Sequence, residues 1–426
     1  MNSPLNNDWQ VRLAQIVETM RELSLQTDPQ EMVRTYGARM QALFPSAKRI
    51  SLSRRNLSDG QFRITRHTDW PDEINPWKQP DKLPLLTGGI LGELIYGDQP
   101  KVLNDVRIPE SDPASSYLQG ARSLLALPLF DKGTSLNMVV STRNEPHAFE
   151  ESDLPERVWM ANLFGRAANN LVLAEQLDEA YRKIDHELKV VADIQRSLLP
   201  KAIPAMKTMR VAAHYETSRH AGGDYYDFFQ LPRDRWGILI ADVSGHGAPA
   251  AVVMAVLHSL AHMYPGEPTR PSQLLNHLNR HLTERYTLES GHFVTAFYAI
   301  YDETTRELTY SAAGHNPPRL QRCGESCVSA LEEARDLPLG FLDEVEYQDH
   351  SIILKPGDRI AFYTDGITEA FSPSGEQFGT DRLDTVLGQC CRDADKSLRR
   401  VLDELSRFTE GAAPSDDQTL LVADVF

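Results

Sequence analysis

Four short acidic motifs stand in the second half of the 426-residue chain, each setting aspartate among glycines or small polar residues. They are Gly222-Gly223-Asp224-Tyr225-Tyr226-Asp227, Ala241-Asp242-Val243-Ser244-Gly245-His246-Gly247, Tyr363-Thr364-Asp365-Gly366 and Ser415-Asp416-Asp417-Gln418-Thr419. Any one of them is ordinarily a turn, because aspartate and glycine are turn residues. Four together admit a second reading. Asp242 follows the apolar run Ile238–Ile240, Asp365 follows Ile360–Tyr363, and Asp416 and Asp417 precede Leu420–Val422. Aspartates at the rigid ends of neighbouring strands can share an oxygen-only cage. Such a cage suits hard divalent cations such as Mg²⁺ or Mn²⁺, not thiolate-seeking metals. The glycines let backbone approach closely, and the Val243 carbonyl could serve as a further ligand.

These motifs need strands to position them. Strand-like runs recur at 210–215, 237–242, 293–301, 308–312, 359–363 and 419–426, with helical stretches at 248–263, 271–284 and 381–408. Strands and helices are grouped and do not alternate strictly, which favours a layered α+β fold. Upstream, Leu13, Ile16, Val17, Met20 and Leu23 have helical spacing. Strand-like segments at 50–53, 63–65, 123–130 and 138–142, a glycine turn with a short helix at 88–96, and a helix over 149–173 complete a first domain. Between the two lies a 4-3-4-3 apolar rhythm of Leu177, Tyr181, Ile184, Leu188, Val191 and Leu198, with Gln195 in the remaining seam position. Charged residues fill its outer face, and Pro200 and Pro204 end it. This is a short coiled-coil pattern, or else one amphipathic helix packed on a single domain.

The net charge of −16 argues against nucleic acid or an anionic membrane as the main partner, since both are gripped by clustered Lys and Arg. The four cysteines, Cys323, Cys327, Cys390 and Cys391, lack zinc-knuckle spacing and read as free thiols of a reducing cytosol. The longest apolar stretch, 248–263, contains His258 and His262 and is shorter than the roughly 20 residues a membrane span requires. The expectation is a cytoplasmic protein without a signal peptide.

The four motifs, with Ala313-Gly314-His315-Asn316-Pro317-Pro318 and the lead-in Ile194-Gln195-Arg196-Ser197-Leu198-Leu199-Pro200, resemble the SpoIIE-like branch of the metal-dependent protein phosphatase (PPM) family over residues 205–426. The first domain, through Gly88–Tyr96, Pro100–Val106, Ser123–Leu129 and Phe149–Asp153, resembles a GAF domain. The order implied is a GAF sensory or dimerisation domain at 10–172, a helical coiled-coil linker at 173–204, and a PPM-type β-sandwich flanked by helices at 205–426.

The resemblance implies a phosphatase that hydrolyses phosphoserine or phosphothreonine of a regulatory protein, such as an anti-anti-sigma factor of the STAS type. It implies two divalent cations, Mn²⁺ or Mg²⁺, with Asp224, Asp242, the Val243 carbonyl and Asp365 as ligands and Asp242 bridging. The last motif supplies Asp416 by the family pattern, with Asp417 as its alternative; Asp227 is assigned a supporting or structural part. His246 and His315 are candidates for the general acid that protonates the leaving oxygen. Hydrogen bonding within the glycine-rich turns is the alternative, favoured for His315. A homodimer through the GAF domain and linker helix is implied, with a small-molecule GAF ligand as one option. The cyclic-nucleotide pattern of some GAF domains is altered here, at Glu145 and Leu154.

Two other readings compete. A catalytically silent phosphatase fold could act as a binding platform. A GAF-linked nucleotide cyclase would share Gly222-Gly223-Asp224, but Tyr225-Tyr226 stands where that signature has Glu-Phe. It also leaves Asp242, Asp365 and Asp416 without a role.

Overall fold

The computed structural model describes residues 8–70, 74–287, 291–325, 327–389 and 393–426. The chain divides into two compact units, Met1–Tyr181 and Arg182–Phe426.

In the first unit, helices α1 (Asp8–Ser24) and α2 (Pro29–Leu43) precede β1 (Lys48–Ser53) and β2 (Gln61–His67). Then come β3 (Leu85–Thr87), α3 (Gly89–Gly97), β4 (Lys101–Asn104), β5 (Ser123–Asp131) and β6 (Thr134–Arg143). The six strands form one antiparallel sheet in the order β3-β2-β1-β6-β5-β4. Ile50, Leu52, Phe62, Ile64, Met138 and Val140 of one face pack on Leu91, Leu94 and Ile95 of α3. Helix α2 is not among the expected segments, yet its start is encoded locally. Asp28 caps it, accepting from the Gln30 and Glu31 amides at 2.8 Å, and Pro29 occupies the first turn.

Helix α4 (Leu154–Leu198) is one continuous helix of 45 residues. It replaces the two segments expected on either side of residue 173, because no proline or glycine interrupts the chain there. Its apolar seam changes character along its length. Leu177, Tyr181 and Ile184 are exposed, whereas Gln195 of the same seam is buried against Gly222, and Ala192 beside it packs on Ala221 and Ala251.

The second unit has four layers. One sheet holds β8 (Tyr225–Leu231), β9 (Arg235–Val243), β10 (Val294–Asp302), β11 (Glu307–Ala313) and β14 (Arg335–Asp336), with β15 (His350–Ile353) also on β11. The other holds β13 (Val328–Ala330), β12 (Arg319–Gln321), β16 (Arg359–Tyr363), β17 (Gln418–Val425) and β7 (Met209–Glu216). Alternate residues of both sheets, among them Ile238, Ile240, Phe297, Tyr310, Ile360, Phe362, Leu421 and Ala423, meet as the sandwich core. The opposite faces are covered by helices. Helices α5 (Ala248–His262) and α6 (Pro271–Leu282) pack on Leu239, Ala241 and Tyr298. Helices α8 (Gly379–Leu387) and α9 (Ala394–Phe408) pack on Ala361, Leu420 and Val422.

All six expected strands of this unit are present. The single helix expected over 381–408 is two: α8 ends at Leu387, and α9 has its own cap, the Asp393 carboxylate accepting from Lys396 N at 3.2 Å. Cys323 and Cys327 are free and exposed; Cys390 and Cys391 lie outside the described residues. Among the described residues, no helix is long and apolar enough to cross a membrane.

Candidate active site

The acidic motifs converge where strand ends of both sheets meet. Tyr225 of β8 pairs with Ala241 of β9, so Asp224, one residue before β8, comes level with Asp242 near the end of β9. In the other sheet Tyr363 pairs with Leu420. That register sets Thr364, Asp365 and the short helix α7 (Asp365–Thr368) beside Asp416 and Asp417, which precede β17.

Two threonines tie the sheets together. Thr364 and Thr419 each donate a hydroxyl to Asp224 Oδ2, at 2.7 and 2.6 Å. Thr364 Oγ1 in turn accepts the Thr419 amide at 3.0 Å. Both threonines belong to the acidic motifs, but their neighbours in sequence do not disclose this task.

Three glycines are there because nothing larger fits. A Cβ on Gly366 would stand 2.0 Å from the Asp417 carbonyl oxygen, and one on Gly222 would stand 2.1 Å from Asp417 Oδ2. A Cβ on Gly223 would meet the Val243 carbonyl oxygen at 2.7 Å. The first motif is thereby pressed against the strand end that carries Asp242, and Val243 N donates to Gly223 O at 3.3 Å.

Asp416 and Asp417 differ in kind. Asp417 is buried, with both carboxylate oxygens occupied. Oδ1 accepts from the Ser218 amide (2.9 Å) and hydroxyl (3.2 Å), and Oδ2 accepts from Gly223 N (2.7 Å). Asp416 is exposed, and one carboxylate oxygen accepts its neighbour's amide at 2.9 Å. Asp417 therefore braces the loop that precedes Asp224, while Asp416 keeps acceptor capacity facing outward.

Gln195, from the last turns of α4, braces the same loop from the other side. Its amide donates to Gly222 O at 2.6 Å and accepts from Gly222 N at 3.0 Å. Seam spacing places Gln195 on the right face of the helix but does not identify this partner.

The carboxylates strain one another electrostatically. Burial pushes Asp242 up to about 10, helped by the charges of Asp224, Asp365, Asp416 and Asp417. Burial, then Asp416 and Glu369, push Asp365 up to about 6. Asp224 is driven well above the usual carboxylate range by burial, against the opposing hydroxyls of Thr419 and Thr364 and with help from Asp417 and Asp365. Mutually repelling, part-buried carboxylates of this kind are stabilised by a cation among them. The donor set is all oxygen, it includes a crowded backbone carbonyl at Val243, and it fits Mg²⁺ or Mn²⁺.

The histidines divide. His315 is fully buried, its Nδ1 paired with Thr295 Oγ1 at 2.9 Å, and burial pushes it down to about 3. Burial favours its neutral form. His246 is exposed on a turn between Gly245 (φ 88°) and Gly247 (φ 80°). No described contact ties it to the carboxylates. Asp227 lies away from this cage, turned toward α5, where it bonds Tyr225 and His262.

Comparison with known proteins agrees with this geometry. Residues 232–426 match the family model of stage II sporulation protein E (SpoIIE). The chain is 29% identical over 241 residues to the phosphoserine phosphatase RsbU of Bacillus subtilis, covering 57% of this chain and 70% of RsbU. It is 28% identical over 241 residues to the phosphoserine phosphatase RsbP of the same organism, covering 56% of this chain and 58% of RsbP. The SiaA-PP2C domain of Pseudomonas aeruginosa shares the fold, with a TM-score of 0.51 and 20% identity over 58% of this chain and 98% of that one. The sandwich, its carboxylate-lined strand ends and these relatives agree: residues 232–426 are similar to SpoIIE-type phosphatase domains.

Proposed function

We propose that this protein is a metal-dependent phosphatase that hydrolyses phosphoserine or phosphothreonine on a regulatory protein. The observation that carries the reading is the convergence of Asp224, Asp242, Asp365 and Asp416 at the strand ends, with three of the four pushed above the carboxylate range. Asp224, Asp242, the Val243 carbonyl, Asp365 and Asp416 would hold two divalent cations, Mn²⁺ or Mg²⁺. Ions held there would lower the pKa of a water and offset the charge of the phosphoryl oxygens.

The rest of the site is positioning. Thr364 and Thr419 fix the rotamer of Asp224 through Oδ2 and leave its other oxygen for a cation. Asp417 and Gln195 hold the Gly222-Gly223 backbone from opposite sides, so Asp224 cannot drift from Asp242. His246 is the exposed histidine nearest in sequence to a ligand, and is the candidate proton donor to the leaving oxygen.

The substrate class follows RsbU and RsbP, whose names make them phosphoserine phosphatases. An anti-anti-sigma factor of the STAS type is the regulatory protein we favour, with the enzyme in the cytoplasm. For residues 10–172 we favour a GAF domain, supported by the six-stranded antiparallel sheet with helix α3 on one face. Exposed Leu177, Tyr181 and Ile184 support pairing of α4 with a second copy as a coiled coil, and the Gln195 contacts give pairing a route to the metal loop.

Turnover of phosphoserine, phosphothreonine and phosphotyrosine peptides, each with Mn²⁺, Mg²⁺ or EDTA, tests the reading. Metal-dependent hydrolysis of the first two is expected. Hydrolysis that persists in EDTA, or that favours phosphotyrosine, would overturn it.

A further inference from the structure

A second cluster of ionisable side chains sits on the other side of β8 from the sandwich core. Asp227 Oδ2, His258 Nδ1 and His262 Nε2 lie within 4.8 Å of one another. His262 Nε2 is 2.8 Å from Asp227 Oδ2, and His258 Nδ1 is 3.9 Å from the same oxygen. We infer that Asp227, His258 and His262 form a site for a borderline divalent transition metal, of which Zn²⁺ is the representative, separate from the carboxylate cage.

The sequence builds this arrangement from two rigid elements. His258 and His262 are four apart on α5, so both imidazoles project from one helix face, and their ring centroids are 4.4 Å apart. Asp227 is on β8, two residues from Tyr225, and strand periodicity turns both side chains toward that helix. Tyr225 donates its hydroxyl to Asp227 Oδ2 at 2.5 Å, which orients the carboxylate as the outer-shell partner of a metal ligand does.

The spacing is near what a metal needs. Four-coordinate bonds of about 2.0–2.1 Å separate donor atoms by about 3.3 Å. The two Asp227–histidine distances bracket that value, so small side-chain rotations close the cage. Tyr225 Oη, 3.0 Å from His258 Nδ1, stands where it can support or complete the set.

Access and ligand state also fit. The side chains of Asp227 and His258 are 9% and 22% exposed, whereas that of His262 is 46% exposed, leaving an entry for an ion and a position for water. Burial and the neighbouring His262 favour the neutral form of His258, the form that ligates a metal, against the opposing charge of Asp227. Two imidazoles and one carboxylate select Zn²⁺, Co²⁺, Ni²⁺ or Cu²⁺ over Mg²⁺, which prefers oxygen alone. An ion here would pin the last turn of α5 to β8, and α5 is the helix that leads away from the Asp242 motif.

The test is equilibrium dialysis of the full chain against Zn²⁺ in excess Mg²⁺. The wild type is compared with His258→Ala/His262→Ala, with His262→Gln, and with Asp242→Asn. The expected result is one equivalent of Zn²⁺ that persists in Asp242→Asn and is lost in the double variant. Co²⁺ in place of Zn²⁺ should give visible absorption from a nitrogen-ligated ion in the same proteins. Equal Zn²⁺ uptake by the wild type and a folded double variant would overturn the proposal. So would loss of the equivalent in Asp242→Asn alone, which would assign the ion to the carboxylate cage. If circular dichroism finds the double variant unfolded, His262→Gln decides: weakened uptake supports the site, and an unchanged isotherm overturns it.

Discussion

Two clusters of ionisable groups flank the start of β8, three residues apart in sequence, and they solve different problems. Asp224 belongs to a cage of carboxylates in which burial and like charges raise every member whose shift is resolved. Asp227 belongs to a cluster whose carboxylate already has a phenol and an imidazole for company. The first cluster sets carboxylates against one another, a repulsion that the proposed cations would relieve, whereas the second is a satisfied hydrogen-bond network that an ion could replace. The same strand separates them because side chains alternate across it. Charge imbalance, more than the number of acidic residues, is what sets the two clusters apart.

The largest break in this contrast should come from Gly366→Ala. Its new Cβ would meet a backbone carbonyl at 2.0 Å, which no side-chain rotation relieves. Overpacking of this kind costs about 1–3 kcal/mol, and here it falls between Asp365 and Asp416. We expect metal-dependent turnover to vanish and thermal unfolding to move down by several degrees; calorimetry with an activity assay checks both.

Next in size are Thr364→Val and Thr419→Val, which keep shape and remove one hydroxyl each from Asp224. Losing an outer-shell partner typically lowers metal affinity about 10–100-fold. The Mn²⁺ concentration for half-maximal turnover should rise accordingly, with turnover at saturating Mn²⁺ much less affected.

Gln195→Ala removes two hydrogen bonds from the buried Gly222 backbone. Unmet buried backbone groups cost about 1–3 kcal/mol, so weaker Mn²⁺ activation and lower stability are expected together. Tyr181→Asp, on the exposed stretch of α4, should leave stability nearly unchanged and lower the mass in solution measured by light scattering.

A test of another kind is a pH slope confined to the metal-free protein. With Asp365 raised to about 6 and Asp242 to about 10, the folded state keeps protons that the unfolded chain releases near 3.8. Their contribution to stability is present below that value, is lost for Asp365 by about pH 6, and continues to fall toward 10 for Asp242. Melting in EDTA should therefore occur at lower temperature at about pH 8 than at about pH 5, and Mn²⁺ should flatten the difference.

What is legible in the sequence is local. The six strand-like runs of the second unit are readable because a short, continuous apolar run bounded by glycine or charge is what a strand buried on both faces requires. Strand β8 is harder to read, because its aspartate breaks the apolar run, although Tyr225–Leu231 is rich in strand-forming aromatics. The Asp28-Pro29 signal for α2 is equally local, but the helix behind it carries only a few buried apolar positions, Met32 and Met40 among them. Other features depend on partners far along the chain. Asp416 and Asp417 are adjacent and chemically identical. What separates them is that Ser218 and Gly223, nearly 200 residues away, occupy the carboxylate of Asp417. The partner of Gln195 is hidden for the same reason: a seam position fixes which way a side chain faces, but not what meets it. The division of 381–408 into two helices is masked because both halves carry helical periodicity, and only the Asp393 cap marks the restart.

The most direct test of the central claim is a Mn²⁺ binding isotherm paired with phosphoserine-peptide turnover, for the wild type and Asp242→Asn. Two Mn²⁺ ions bound by the wild type, with binding and turnover lost together in a folded Asp242→Asn protein, is the predicted result. Turnover that survives Asp242→Asn at wild-type Mn²⁺ dependence would contradict the assignment of the carboxylate cage as the catalytic metal centre.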